Sequence, residues 1–150
     1  GMVDAEVCGA PANGDWGIAL LDFQSLDGGR VCWGSANGGA ISTTEVNDDS
    51  WHVVAVTRAV SAEVAMWVDG QREGVATSGP YSMTDPPWIG VGNNPCDVSF
   101  NRLWFPGRID ELRFYSRLLS DFEIRQLSRD FVFFDDLESG DLSAWTAVSP

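Results

Sequence analysis

The sequence predicts an all-β fold, an antiparallel jelly-roll β-sandwich with one short C-terminal helix. Short apolar runs recur at roughly ten-residue spacing, with glycine and proline between them, as in a sandwich of short strands. Asp69-Gly70 separates two of these runs, and Asp-Gly favours a hairpin because it tolerates the positive φ angles of a type I′ turn. One pattern typical of a helix start occurs, at Ser120.

Seven apolar runs are long enough for one strand each and are bounded by turn-forming residues. The predicted strands are Trp16–Phe23, Arg30–Gly34, Ala40–Thr44, Trp51–Arg58, Val64–Val68, Trp88–Val91 and Ile109–Tyr115. The turns between them include Asp27-Gly28-Gly29, Asn37-Gly38-Gly39 and Pro86-Pro87.

The predicted helix lies near residues 120–129. Ser120-Asp121-Phe122-Glu123 has the form of a capping box, in which the serine hydroxyl caps the helix and Glu123 reaches back to the cap residue. Phe122, Ile124 and Leu127 then supply an apolar face that we expect to pack on the sheet.

Length and charge limit the classes of function. A chain of 150 residues fits one domain that buries roughly 70 % of its unfolded surface. The net charge is −13, and all nine basic residues are arginine, so the sequence lacks the basic stripe that nucleic acid requires and disfavours an anionic membrane surface. No apolar run is long enough to span a membrane, and Gly1 to Glu6 lacks the features of a signal peptide.

Three motifs resemble the laminin G-like, concanavalin A-like sandwich domains of bacterial surface proteins. They are W-H-x-V-A-V-T-R at Trp51–Arg58, V-D-G at Val68–Gly70, and G-R-I-D-E-L-R-x-Y-x-R-x-L-S at Gly107–Ser120. The resemblance covers about residues 8–130. It implies a jelly-roll sandwich with a short helix after the last motif, and a location outside the cell or on its surface.

The resemblance also implies a sandwich over residues 1–130 that lacks the usual first strands, since neither F-D-G nor F-x-W-V occurs before Trp16. Such a sandwich exposes unpaired strand edges. Either the tail, residues 131–150, supplies an added strand, or two chains form a homodimer by strand exchange. The tail also contains F-x-x-x-E-S-G-D-L-S-x-W at Phe134–Trp145, which resembles the start of a following module.

Three cysteines leave one thiol unpaired in an extracellular setting. The resemblance implies a disulfide between Cys8 and Cys96, with Cys8–Cys32 as the alternative. No Cys-x-x-Cys or Cys/His pairing supports a zinc site.

Catalysis is not favoured. His52 is the only histidine and stands at a strand start, where a structural role is expected. Concanavalin A-like folds also host glycoside hydrolases, which need two carboxyl groups about 5–10 Å apart. Asp110 and Glu111 are adjacent, so on a strand they would point to opposite faces. No serine stands in the Gly-x-Ser-x-Gly motif.

Ligand binding is better supported. Trp33, Trp88 and Trp104 lie in or beside predicted loops, where indole faces can stack on sugar rings, although tryptophans can equally fill the core. The long loop from Gly92 to Pro106 offers oxygen ligands that suit calcium, although a solvated polar loop has the same composition. The candidate calcium ligands are Asn93, Asn94 and Asp97.

The sequence therefore predicts a non-catalytic recognition module of a larger secreted or surface protein, with a carbohydrate as ligand. A protein-protein adhesion domain and a structural spacer remain alternatives, and a glycoside hydrolase is disfavoured. The expected partner is a glycan or a surface protein, and calcium is the only cofactor considered.

Overall fold

The structure, a computed structural model, describes residues 1–6, 16–21, 28–35, 38–77, 88–93 and 104–130. Within these ranges eight strands form two antiparallel sheets and one helix follows them, so the predicted all-β sandwich with a C-terminal helix is confirmed. The strands are β1 (Val3–Glu6), β2 (Trp16–Leu20), β3 (Arg30–Ser35), β4 (Gly38–Glu45), β5 (Val54–Arg58), β6 (Glu63–Val68), β7 (Gln71–Thr77) and β8 (Trp88–Val91). The helix is α1 (Asp121–Asp130).

The two sheets have different widths. Five strands form sheet A in the order β4-β3-β2-β1-β8, and three strands form sheet B in the order β5-β6-β7. Sequential strands pair within each sheet, the chain passes from sheet A to sheet B between β4 and β5, and β8 returns to sheet A to pair with β1. This return places Val91 opposite Val3 at one end of the pair.

Strand β1 is absent from the predicted set. It has only two alternating apolar residues, Val3 and Ala5, which is too short a pattern for a prediction from periodicity. In the fold β1 lies between β2 and β8 and pairs with both, and its two apolar side chains are buried. The strand is therefore stabilised by its neighbours rather than by its own sequence.

The core lies between the sheets where they overlap. Val31, Trp33 and Ala40 from sheet A pack against Val64 and Met66 from sheet B. These five side chains are at most 5 % exposed. They sit at the inward positions of strands whose side chains alternate between faces.

Strands β4 and β7 close one side of the sandwich. A bulge in β7 opposes Met66 to Gly74 and Trp67 to Arg72, so Glu73 has no partner in the ladder. The carboxylate of Glu73 instead accepts hydrogen bonds from the backbone N–H of Thr43 (2.8 Å) and Thr44 (2.9 Å) on β4. A bulge thus directs one side chain across the gap between the sheets.

The predicted hairpin at Asp69-Gly70 is confirmed. Both residues have positive φ angles, 49° and 76°, as a type I′ turn requires. Strand β5 begins at Val54, three residues later than predicted, and Asp69 N donates to the carbonyl of Val53 (2.9 Å) just before it.

Helix α1 begins as predicted and covers the outer face of sheet B. Ser120 Oγ accepts from Glu123 N (3.3 Å), and Glu123 Oε2 accepts from Ser120 N (2.8 Å), which completes the capping box. Ile124 is buried against Ala65 and Trp67 of β6. The expectation that Phe122 packs on the sheet is wrong, because its side chain points to solvent and is 67 % exposed.

The predicted strand Ile109–Tyr115 does not form. Residues 104–119, the connecting segment, run from β8 to α1 without strand structure, and Glu111 has a positive φ of 51°. A strand is stable only when a neighbour satisfies its backbone groups, and an apolar run does not specify that neighbour. No helix in the described part of the chain is long and apolar enough to cross a membrane.

The predicted division at residue 130 cannot be compared with the fold, because residues 131–150 lie outside the described residues. The same holds for Cys8 and Cys96, so the disulfide between them stays a prediction. Cys32 is a free, half-buried thiol, which disagrees with the alternative pairing Cys8–Cys32. Burial raises the pKa of the Cys32 thiol.

Candidate functional site

Part of the inner face of sheet A is not covered by sheet B. Cross-strand partners share a face, so the pairs Val3–Val91 and Ala5–Ile89 place Ile89 and Val91 on the inner face with Val3 and Ala5. Ile89 is nevertheless 54 % exposed and Val91 52 % exposed. The three strands of sheet B do not reach over β8.

The unequal widths leave a cleft of about 1230 Å³, which we call the inter-sheet cleft. Sheet A contributes Trp16 and Ile18 to its walls, and β5 contributes Val54 and Val56. The connecting segment forms the opposite wall, where Phe114 meets Trp16 edge to face with ring centroids 6.4 Å apart. Edge-to-face contacts of this kind stabilise aromatic pairs.

A second candidate site lies where the connecting segment leaves β8. Phe105 N donates to the carbonyl of Gly92 (2.9 Å), and this bond brings Trp104 beside Asn93. We call Gly92, Asn93, Trp104 and Phe105 the Trp104 rim. The Trp104 side chain is 64 % exposed, whereas Asn93 is half-buried.

The three predicted tryptophans occupy different environments. Trp33 lies in the middle of β3 and is 5 % exposed, so its interpretation as a loop residue open to a ligand is wrong. Its side chain is part of the core because position 33 points inward. Trp88 is the first residue of β8, and the Trp104 rim lies at the other end of that strand. The structure describes the backbone of Trp88 but not its side chain.

Of the predicted calcium ligands, the structure describes Asn93 alone. Asn94 and Asp97 lie outside the described residues. Within the described ranges no group of three or more histidine, cysteine, aspartate or glutamate side chains is placed to hold a metal ion.

His52 joins two connections. Its Nδ1 lies 2.7 Å from Asp69 Oδ2 in the β6–β7 turn, and its Nε2 lies 3.0 Å from Asp48 Oδ1 in the loop before β5. Burial of the ring opposes the charged form, but the hydrogen bonds that the ring makes to the carboxylates of Asp69 and Asp48 outweigh it and raise the pKa of His52. Asp69 also accepts from Val53 N (2.9 Å), so this cluster holds the start of β5 in place.

The acidic residues of the connecting segment are engaged locally. Asp110 Oδ1 accepts a hydrogen bond from Glu111 N (2.7 Å), and Glu111 pairs with the Arg113 guanidinium (2.7 Å). Both residues line the cleft. Asp110 and Glu111 therefore lie at the cleft, but their carboxylates interact with groups of the connecting segment itself.

Sequence reasoning missed two features of this region. Trp51 is 55 % exposed and lines the cleft, although its strand-like context predicts a buried side chain. No local sequence pattern predicts the cleft, because it arises from the number of strands in each sheet. Predicting it would require knowing how many strands each sheet contains.

A family model described as the concanavalin A-like lectin/glucanases superfamily, of laminin G type, matches residues 6–125. A crystal structure of an S-layer domain-containing protein (residues 221–444) from Clostridium thermocellum ATCC 27405 is similar at 18 % identity and a TM-score of 0.48. The similarity covers 82 % of this chain and 66 % of that one, so the chain spans just under two thirds of its length. No curated protein matches this chain significantly.

Proposed function

The chain belongs to the concanavalin A-like lectin/glucanases superfamily, and from that premise we propose that it is a non-catalytic carbohydrate-recognition module of a larger extracellular or surface protein. Folds of this kind host many functions, so the proposal rests on a site and not on the family alone.

The observation that carries the proposal is the exposed indole of Trp104. Nearly two thirds of this large apolar side chain is exposed, although burying it would be favourable. The backbone hydrogen bond from Phe105 to Gly92 holds the neighbouring residue Trp104 close to the end of β8. An aromatic face supported in this way can stack on the apolar face of a sugar ring and lose little conformational entropy.

Polar groups near the ring would orient the sugar. Asn93 follows Gly92 in the rim, and its amide can both donate and accept hydrogen bonds. Calcium, held by Asn93, Asn94 and Asp97, would add oxygen coordination for sugar hydroxyls. Trp88 would supply a second aromatic contact at the other end of β8.

The acidic pair at the cleft supports a non-catalytic assignment. A retaining or inverting glycosidase needs one free carboxylate and one carboxylic acid facing the same bond. Glu111 is paired with Arg113, and its own backbone N–H binds Asp110. Each group thus has a local structural partner.

The first test is a glycan array probed with the 150-residue protein, once with calcium and once with EDTA, followed by titration of the best glycan. We expect Trp104→Ala to raise Kd at least about tenfold, which is about 1.4 kcal/mol. Phe122→Ala is the control, since Phe122 is also an aromatic residue more than half exposed but lies on α1, outside both the Trp104 rim and the inter-sheet cleft. We expect its Kd to stay within about twofold of the wild type.

Three results would count against parts of the proposal. A folded protein that binds no glycan would reject carbohydrate recognition and leave the adhesion or spacer alternatives. Equal losses in both variants would remove Trp104 as the specific contact. Binding that persists in EDTA would keep the carbohydrate assignment but reject calcium.

A further inference from the structure

The inter-sheet cleft has room for a small ligand beside apolar side chains that solvent can reach. Its volume of about 1230 Å³ is at the upper end of ligand pockets, which commonly measure about 300–1,000 Å³. Trp51, Leu112, Phe114 and Leu118 line it, although between 44 % and 61 % of each is exposed. Large apolar side chains that stay open to water and lie together typically mark a binding site.

The charge of the cleft differs from that of the chain as a whole. Its described lining residues include four of the nine arginines and three of the 22 acidic residues. These residues are Arg58, Arg108, Arg113 and Arg117 against Asp69, Asp110 and Glu111. The lining therefore carries a formal net charge of +1 with His52 neutral, whereas the chain carries −13. A negatively charged ligand should meet less repulsion here than over the rest of the surface.

Arg108 differs from the other arginines of the cleft. Arg113 and Arg117 each form an ion pair with a glutamate, and Arg58 also has a partner. Within the described residues Arg108 has neither a hydrogen bond nor an ion pair, and its side chain is exposed. A guanidinium presents its N–H donors in a planar fork that fits a carboxylate with two parallel hydrogen bonds. Arg108 is therefore available to bind the acid group of a ligand.

The walls of the cleft favour a hydrocarbon chain over a polar molecule. Strand β2 contributes Trp16 and Ile18, and β5 contributes Val54 and Val56, so both sheets present apolar surface. A sugar placed between them would lose hydrogen bonds to water that the apolar side chains cannot replace. Each methylene group that leaves water for such walls instead lowers the free energy.

We propose that the inter-sheet cleft binds a fatty acid anion, with the hydrocarbon chain between the sheets and the carboxylate on Arg108. The volume of the cleft, its apolar walls and its unpaired guanidinium each support this ligand. The inference is independent of the carbohydrate proposal, because Trp104 is not among the residues that line the cleft.

The test is titration calorimetry of the 150-residue protein with octanoate, decanoate and dodecanoate, each below its micelle concentration. We expect Kd to fall about fourfold for each methylene group that enters the cleft, since a buried methylene contributes a constant increment to the free energy. Phe114→Ala removes part of an apolar wall and should raise Kd for dodecanoate at least about threefold. Phe122→Ala is its matched control, because Phe122 is exposed on α1 outside the cleft, and it should leave Kd unchanged.

Arg108→Gln tests the contact with the carboxylate. We expect it to raise Kd for dodecanoate about fivefold, the upper end for an ion pair that solvent can reach. Arg125→Gln is the matched control, since Arg125 is an exposed arginine of α1 that does not line the cleft. Its Kd should stay within about twofold of the wild type.

Four results would overturn the proposal. A folded wild type that binds none of the three acids would reject the ligand, and so would a Kd that does not change with chain length. Equal losses in Arg108→Gln and Arg125→Gln, or none in either, would reject the contact with Arg108. A loss in Trp104→Ala as large as that in Phe114→Ala would place the acid outside the cleft.

Discussion

His52 is the residue at which two separate connections of the chain meet. Its ring nitrogens contact Asp48 before β5 and Asp69 after β6, and its side chain is only 13 % exposed. A protonated ring can donate to both carboxylates at once, whereas a neutral ring has one N–H to donate. The cluster should therefore be strongest when His52 is charged.

The free energy of unfolding should consequently depend on pH through His52. Its pKa in the folded state is raised above the usual 6.5, so the charged bridge stabilises the protein fully below that value and is lost as pH rises through the folded-state pKa. We expect His52→Gln to cost about 1 kcal/mol near pH 5.5 and clearly less near pH 8.5. Urea unfolding of both proteins at the two pH values measures this, and a difference independent of pH would contradict it.

Residue-scale chemistry was partly visible in the sequence. The motif that contains His52 indicates a structural histidine, but its contact with Asp69 could not be identified, since the two residues are 17 positions apart. Their distance depends on the β5–β6 register, which pairs Val54 with Val68. Local patterns carry no information on such a contact.

Glu73 joins β7 to β4 through side-chain hydrogen bonds. Its carboxylate projects from the bulge in β7 and accepts hydrogen bonds from two backbone N–H groups on β4 and from the Thr44 hydroxyl (2.5 Å). Burial opposes ionisation, but the bonds from Thr44 and Thr43 outweigh it and lower the pKa of Glu73. Hydrogen bonds from backbone N–H groups to a carboxylate are among the stronger ones in proteins.

We expect Glu73→Gln to lower the free energy of unfolding by about 1 kcal/mol at neutral pH. The stabilisation is present above the usual pKa of 4.5 and is lost as pH falls through the lowered value, so the variant and the wild type should converge in acid. Glu63→Gln is the control, since its ion pair with Arg72 is solvent-exposed and should matter little. Chemical unfolding at several pH values tests this, and equal effects of the two variants would contradict it.

Elements with local signals were predicted well. The capping box at Ser120 and the positive φ angles at Asp69-Gly70 involve residues within four positions of each other. Elements that depend on a distant neighbour were predicted poorly. Among the described residues, the apolar run Ile109–Tyr115 pairs with no strand, whereas the weak run in β1 pairs with two.

At the scale of the whole molecule, charge should affect stability. With a net charge of −13 on 150 residues, the acidic side chains repel one another in the compact state, and salt screens that repulsion. We expect Tm to rise by about 2–4 °C, or about 1 kcal/mol, between about 0.05 M and about 0.5 M sodium chloride. Scanning calorimetry at several salt concentrations measures this, with lithium chloride as the control for ion identity.

A Tm that stays constant or falls with salt would contradict the prediction. It would mean that attractive pairs such as Arg113–Glu111 and Arg117–Glu123 dominate the electrostatic energy. These pairs are largely exposed, so we expect each to contribute little.

The sequence by itself determined the fold class, the turn at Asp69-Gly70, the start of α1 and the acidity. Each follows from composition or from residues close together in the chain. Only the tertiary structure decided that Trp33 is buried, that Trp104 stands beside Asn93, and that an apolar cleft opens beside β5. These features depend on how many strands each sheet has and which edges meet, and those are properties of long-range pairing that no local pattern encodes.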